Sequence, residues 1–359
     1  MIRRVETDQA PTVVRADTAQ EFVAELFRAV DVPPEDADLI AEVLVGADLR
    51  GIKSHGLARI PYFLSRLRRG VVKARPDLHF STRTATTGLL DAGDGIGIVA
   101  AERAMAALHG SGFVVVKDSS HFGYAGFWAE RAMRAGYIGI SMSNSGGRVA
   151  PTFGTTPLLG TNPLAVAIPG SPGATDFLLD MATSTVAVGK VETALREGRV
   201  PPPGWVASDP PPHLDENGVL SFDSPLLPLG GEGTETGGHK GYGLALMVEL
   251  LCGALGGTGF EARIAGAAGE SAPAMGHLMG AIQVEGFRPG SEVELDMEAT
   301  FDLIRGSGRV EGQDRIFIHG EPEAIAEETY RREGIPVSEA VMDQLDRWAA
   351  VLDVEPIAR

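Results

Sequence analysis

Up to Gly70, apolar residues recur every three or four positions; beyond it they gather into short runs, so a helical beginning gives way to an α/β interior. In PPEDADLIAEVLVGADLRG, Pro34 and an acidic first turn open a segment with Leu39, Ile40, Val43, Leu44 and Ala47 on one face, closed by Gly51. Ile60, Phe63, Leu64 and Leu67 repeat the spacing. Pro61 fits a helix only in its first turn, where its missing N–H is not needed, which places the start of this second helix near Gly56. The joint between them, GIKSHGLAR, holds Ser54 and His55, with Arg59 one turn above His55 on the same face. After Gly70 come the β-rich runs TGLLDA, GFVVVKD, YIGISMSN, LAVAIPG, FLLDM, MGHLMGAIQV and RIFIHG, with helical stretches such as GYAGFWAERAMRAG and TVAVGKVETALREG between them. Two helices return from about residue 321. Helices at both ends predict that the ends pack together as one helical unit, and the polar residues 1–17 are expected to be loosely ordered. A proline-rich loop, VPPPGWVASDPPP, and a glycine-rich one, GGEGTETGGHKGYG, interrupt the middle.

Composition narrows the function classes. With 359 residues, 44% of them hydrophobic and 22% charged, the chain has room for two or three well-cored domains. A net charge of −17 opposes a nucleic-acid role, because phosphate binding needs a dense basic surface that only RLRRGVVKAR hints at, and that run is expected to solvate a helix end. The single cysteine, Cys252, lies in apolar LALMVELLCGAL and reads as a small core residue of a reducing compartment, so a cytoplasmic protein is expected. Arg3 and Arg4 are followed by no apolar stretch, and the best apolar run is broken by Glu249, so neither a signal peptide nor a membrane span is supported.

Several segments carry candidate chemistry, most of them beside a plainer structural reading. In LLDAGDGIGIVAAERAM, Gly93, Gly95 and Gly97 give G-x-G-x-G, one position short of the dinucleotide fingerprint, so a tight strand-to-helix turn explains them better than a Rossmann site. GGHKGYG lacks the Ser or Thr of a phosphate loop after Lys240, but it delivers His239 and Lys240 to the start of a helix beginning near Tyr242, where free N–H groups favour an anion such as a pyrophosphate. SSHFGYAG puts His121 between a strand and a helix, where α/β proteins present catalytic groups and also structural histidines. Ser54 is an N-cap or a reacting-centre group. LGTNPLAV and LLDMATSTVAVGK add Thr161, Asn162, Asp180, Thr183 and Ser184 at strand ends and Lys190 on the next helix. No metal is expected, since none of the eight histidines has metal-ligand spacing and there is no second cysteine.

Together, ADLRGIKSHGLAR, SSHFGYAG, GYIGISMSNS, LGTNPLAVAIPG, LLDMATSTVAVGK, GGHKGYGLALMVELLCGAL and IFIHGE, in that order along nearly the whole chain, resemble the type 2 malate/L-lactate dehydrogenase family. The resemblance implies an α/β, non-Rossmann, nicotinamide-dependent fold with a helical unit formed by both chain ends. It divides the chain into a helical dimerisation unit (18–75 and 321–359), an α/β segment (76–125 and 285–320) and a cofactor-binding domain (126–284) of a homodimer. It implies NAD or NADP as cofactor and a small 2-hydroxy or 2-oxo acid as substrate: malate, lactate or sulfolactate. Carried over by position, His121 corresponds to the proton donor and acceptor, Ser54 and His55 to polar groups at the reacting centre, and Arg59 to the carboxylate binder. Ser145, Thr161 and Lys190 fall on the substrate side, and Asp180, Met181, Ala182, His239, Lys240, Gly320 and Glu321 in cofactor-contacting segments. Imine-reducing relatives carry an acid where this chain has Lys190, which favours a hydroxy-acid enzyme over a cyclic imine reductase; a non-catalytic small-anion-binding protein is the reading from a different class. The chemistry asks for the same groups, since reducing a 2-oxo acid takes a hydride, a proton for the new alkoxide and a forked cation for the carboxylate.

Overall fold

The computed structural model describes residues 11–196, 198–207, 211–213, 220–221, 223–260 and 274–358. The expectation of loose order over residues 1–17 fails where it can be tested: β1 (Thr12–Val14) pairs antiparallel with β9 (Ile335–Val337), and α1 starts within the same stretch (Ala16–Arg28). Residues 1–10, and residues 208–210 of the proline-rich loop, lie outside the described residues. The β1–β9 pair ties the chain ends together, as the helical unit requires. α1, α2 (Pro34–Leu49) and α3 (Ile60–Arg68) pack with α9 (Glu321–Glu333) and α10 (Glu339–Leu352). Pro34 opens α2, whose Ile40, Val43, Leu44 and Ala47 are fully buried, as the spacing predicts.

The joint between α2 and α3 departs from the expected helix start. Lys53–His55 and Leu57–Arg59 form single 3₁₀ turns, and α3 begins only at Ile60. The cause is Asp48, whose buried carboxyl group accepts the Leu57 N–H at 2.7 Å and occupies the space beside Gly56. A Cβ at Gly56 would lie 2.2 Å from it, so the backbone wraps around this side chain instead of propagating a helix.

Seven strands form the main sheet: β2 (His79–Thr84), β3 (Thr87–Gly95), β4 (Gly112–Ser119), β5 (Tyr137–Ser143), β6 (Leu164–Ile168), β7 (Phe177–Met181) and β8 (Met275–Gln283). Their order is β2-β3-β4-β8-β5-β6-β7, and only β3 and β4 run parallel. A Rossmann sheet is mostly parallel, so this topology agrees with the failed glycine spacing. RIFIHG is not a strand; its backbone joins the sheet by the bond from Leu178 N–H to the His319 carbonyl at 3.0 Å.

α4 (Gly97–Ala106) and α5 (Ala125–Met133) lie with the helical unit in the main core, which includes fully buried Trp128. A separate cluster joins Val115, Leu164 and Leu278 to Val248 of α7 (Gly238–Glu249) and to Cys252, buried as expected in the π-helical turn that follows α7. α6 (Val188–Arg196) packs Val191 against Val149, Leu226 and Ala245, and α8 (Gly290–Arg305) is mostly exposed apart from Phe301.

Candidate active site

His121 lies just past the end of β4, and several local contacts fix it there. Gly97 is the first residue of α4, and its N–H donates to Ser120 Oγ at 3.0 Å. A Cβ at Gly97 would fall 1.9 Å from the Ser120 carbonyl, so the glycine turn serves the close approach of α4 to the His121 segment, not a dinucleotide. The Trp128 indole donates to the Phe122 carbonyl at 2.8 Å. The Gly123 N–H donates to His121 Nδ1 at 3.0 Å, which commits that nitrogen as acceptor and leaves the ring proton on Nε2.

The 3₁₀ elbow brings its polar groups to this histidine. The rings of His55 and His121 are 5.4 Å apart, and those of Tyr62 and Phe63 are each 5.8 Å from His121. Ser54 Oγ sits 2.9 Å from His55 Nδ1, so the hydroxyl partners the imidazole and does not cap a helix. The Arg59 guanidinium lies 4.4 Å from the centre of the Tyr62 ring, and its buried Nε has no hydrogen-bond partner. Burial and the Arg59 charge push the His55 imidazole down to about 4. His121 is held well below the ordinary range by burial, then by Arg59, His55, His277 and Arg66. Both rings are therefore neutral at physiological pH.

Segment 121–126 also meets the residues expected on the cofactor side. Asp180, at the end of β7, accepts the Gly126 N–H at 2.8 Å, and burial raises its carboxyl to about 6 despite that bond. Met181 and Ala182 follow it, partly exposed. Gly320 precedes α9 with φ 99° and lies against Leu178 of the same strand. Glu321 is already engaged: Burial works against its charge, but the Ile318 N–H and the Arg305 and Arg315 guanidiniums hold it below the usual carboxylate range. Thr183 joins this group to two others, donating its N–H to the Thr161 carbonyl and accepting the Leu229 N–H, both at 2.9 Å. Ser145 is tied to the Thr161 loop through its N–H, which donates to Asn162 Oδ1 at 3.1 Å. Lys190 is exposed in the first turn of α6, and a side-chain carbon at the preceding Gly189 would touch Ser54 at 3.8 Å.

α7 starts at Gly238, four residues before the predicted Tyr242, because Gly237 supplies the left-handed turn that begins it. His239 and Lys240 are thus inside the first turn, both exposed. Two amides expected to be free are not: His239 N–H donates to the Gly233 carbonyl at 3.1 Å and Lys240 N–H to that of Gly237 at 2.9 Å. An anion here meets the helix dipole and two exposed basic side chains, which fits the pyrophosphate of a dinucleotide.

The sequence pattern gave no notice of the supports behind the site. His277, read only as part of an apolar strand, is fully buried on β8, and burial pushes it down to about 3. Its Nδ1 lies 2.8 Å from Ser143 Oγ and its Nε2 2.9 Å from Ser119 Oγ, tying β5, β8 and β4 together, and its ring stacks on Phe122 at 4.6 Å. Glu249 is buried between the amides of Asn144 and Asn162, linking α7 to the Ser145 loop. Arg66 lies in the run expected to solvate a helix end, yet its Nε is buried and unpartnered and its guanidinium lies 4.1 Å from the Tyr62 ring centre.

Comparison with known proteins decides what this arrangement belongs to. The sequence model of the malate/L-lactate dehydrogenase family matches residues 14–346. The chain belongs to the malate/L-lactate dehydrogenase family. It is 36% identical to a malate dehydrogenase of Pyrococcus abyssi over 99% of both chains, and 35% identical to an L-sulfolactate dehydrogenase of Methanothermobacter thermautotrophicus over 93% of this chain and 95% of that one. The solved malate dehydrogenase of Pyrococcus horikoshii matches 99% of this chain and 100% of its own, with TM-score 0.86 and 33% identity. As a member of the malate/L-lactate dehydrogenase family, the chain is an NAD(P)-dependent dehydrogenase of small hydroxy acids. Among the described residues, no helix is long and apolar enough to cross a membrane.

Proposed function

We propose that this family member interconverts a 2-hydroxy acid and its 2-oxo acid, with malate/oxaloacetate or sulfolactate/sulfopyruvate as the substrate pair, beside the adjacent His55 and His121 rings. The observation that carries the reading is Arg59: a guanidinium beside both histidines, its buried Nε without a partner, is a socket for a substrate carboxylate. Asp180–Ala182 and His239–Lys240 would hold the nicotinamide dinucleotide, whose chemistry would be hydride transfer to or from C2. The protein's own groups orient the acid and move the proton.

The two histidines divide that work. His121, with Nδ1 occupied by the Gly123 N–H, presents a fixed Nε2–H and donates a hydrogen bond to the C2 oxygen. It has no free lone pair there to take a proton. His55 is held differently. Its Nδ1 partner is the Ser54 hydroxyl, which can donate or accept by rotating, and Ser54 is exposed to solvent. A proton can leave His55 Nε2 for the alkoxide as another enters Nδ1 from Ser54, so the relay needs no lasting imidazolium and tolerates a value of about 4. This reverses the role that the family resemblance gives His121.

Glutamine separates the roles, because its amide N–H can replace a fixed donor but cannot relay a proton. His121→Gln should retain within about tenfold of wild-type kcat, whereas His55→Gln should lose roughly 10²- to 10⁴-fold. The reverse order of losses would restore His121 as the proton-transfer group. A cyclic imine reductase is the lesser reading, since the position of the relay acid holds exposed Lys190. Assembly as a homodimer through the helical unit completes the proposal; sedimentation should give about twice the 37.7 kDa chain mass.

A further inference from the structure

Arg59, Tyr62 and Arg66 follow one another at three- and four-residue spacing and so share a face at the start of α3. Both guanidiniums lie against the Tyr62 ring, at 4.4 and 4.1 Å from its centre, so their carbons are no further apart than those distances laid end to end. Both Nε atoms are buried without a hydrogen-bond partner. Neither forms an ion pair among the described residues; Glu192 is the acidic side chain whose field reaches Arg59, and it also accepts the Leu220 N–H at 3.1 Å. The charges of Arg59 and Arg66 are both felt at His121. Two like charges stacked on one ring repel each other, and cation–π contact offsets only part of that cost. One substrate carboxylate cancels one of them.

We propose that Arg66 is a specificity-determining residue, holding a second anionic group of a substrate whose carboxylate lies on Arg59, so that the site takes two-anion 2-oxo and 2-hydroxy acids over mono-anionic ones. The inference rests on the 2-hydroxy acid reading above and deepens it. A short acid with anionic groups at both ends can bridge the two guanidiniums, whether the second group is a carboxylate or a sulfonate; a lactate-sized acid leaves Arg66 unmatched. Tyr62 limits the spacing by contacting both.

The test is steady-state reduction of oxaloacetate, sulfopyruvate and pyruvate by wild type, Arg66→Gln and Arg66→Lys, with cofactor affinity and melting temperature measured alongside. Arg66→Gln should lower kcat/KM for one or both two-anion acids by about tenfold to a hundredfold, mainly through KM, and change pyruvate by less than about twofold. Arg66→Lys should recover part of the loss, and the acid that loses more identifies the second group as carboxylate or sulfonate. Equal losses on all three acids would mean that Arg66 only supports Tyr62 and would overturn the proposal, as would no loss on any. If Arg66→Gln does not fold, competitive inhibition of the wild type decides: malonate should bind at least about tenfold more tightly than propionate, and equal inhibition constants would overturn the second-anion site. Wild type that turns over none of the three acids would overturn the 2-oxo acid reading itself. Turnover without Arg66 selectivity would overturn this inference alone.

Discussion

Replacing Asp48 with asparagine tests the physical account of the elbow. The Asp48 carboxyl is only 5% exposed, and burial raises it from 3.8 to about 7 against the opposing effects of the Leu57 N–H and the Lys53 charge. A carboxyl raised in this way keeps its proton in the fold while the unfolded chain has released it. Stability is therefore fullest below about pH 4, falls as pH rises through the interval up to about 7, and stays low above it. The shift corresponds to a penalty on the order of 4 kcal/mol for the charged form at pH 8. Asparagine keeps an oxygen for the Leu57 N–H, fits the space beside Gly56 and carries no charge. Urea denaturation of wild type and Asp48→Asn at pH 5 and pH 8 isolates this group, because every other carboxylate cancels in the difference. The variant should gain on the wild type by about 2 to 4 kcal/mol between the two pH values. Parallel stability curves would refute the reasoning, and a variant that becomes relatively weaker at pH 8 would show that the Asp48 charge stabilises the elbow.

Three other substitutions probe separate parts of the site. Gly97→Ala places a Cβ 1.9 Å from the Ser120 carbonyl, so it should displace the His121 segment and cut kcat at least about tenfold while calorimetry finds dinucleotide affinity unchanged. Arg59→Lys keeps the charge but loses the fork, and kcat/KM for a 2-oxo acid should fall about tenfold to a hundredfold; a substrate amide replacing the carboxylate should show little further loss. Lys240→Ala should weaken dinucleotide binding by calorimetry and leave the order of preference among acids unchanged; unaltered affinity would return the α7 start to a plain surface loop.

The local pattern carried the helices and strands whose apolar residues repeat cleanly, such as α2 with Ile40, Val43 and Leu44, and β4 with Val114 to Val116. It misjudged elements fixed by something else. RIFIHG alternates like a strand but joins the sheet through the His319 carbonyl without forming one, whereas β2 is exposed along nearly its whole length and so lacks the apolar signal of a strand. The α3 start is set by Asp48 and the α7 start by the positive φ of Gly237, neither of which hydrophobic spacing reports. The insertion of β8 between β4 and β5 is a long-range event with no local trace. The elbow residues were legible because Ser54, His55 and Arg59 are close in sequence, and their approach to His121 came only with the fold. Arg66 had a local signal in its seven-residue spacing from Arg59, obscured by the neighbouring arginines. His277 had none, since its partners Ser119 and Ser143 are 158 and 134 residues away.

The most direct test of the central claim is the absorbance of reduced nicotinamide on mixing the purified protein with oxaloacetate and NADH or NADPH. The adjacent histidines beside Arg59 predict steady loss of the absorbance, with malate as product, and at least about a hundredfold slower loss in His55→Gln. Tight binding of dinucleotide and oxaloacetate with no change in absorbance, and none with sulfopyruvate or pyruvate in its place, would contradict the claim and leave an anion-binding protein on a dehydrogenase fold.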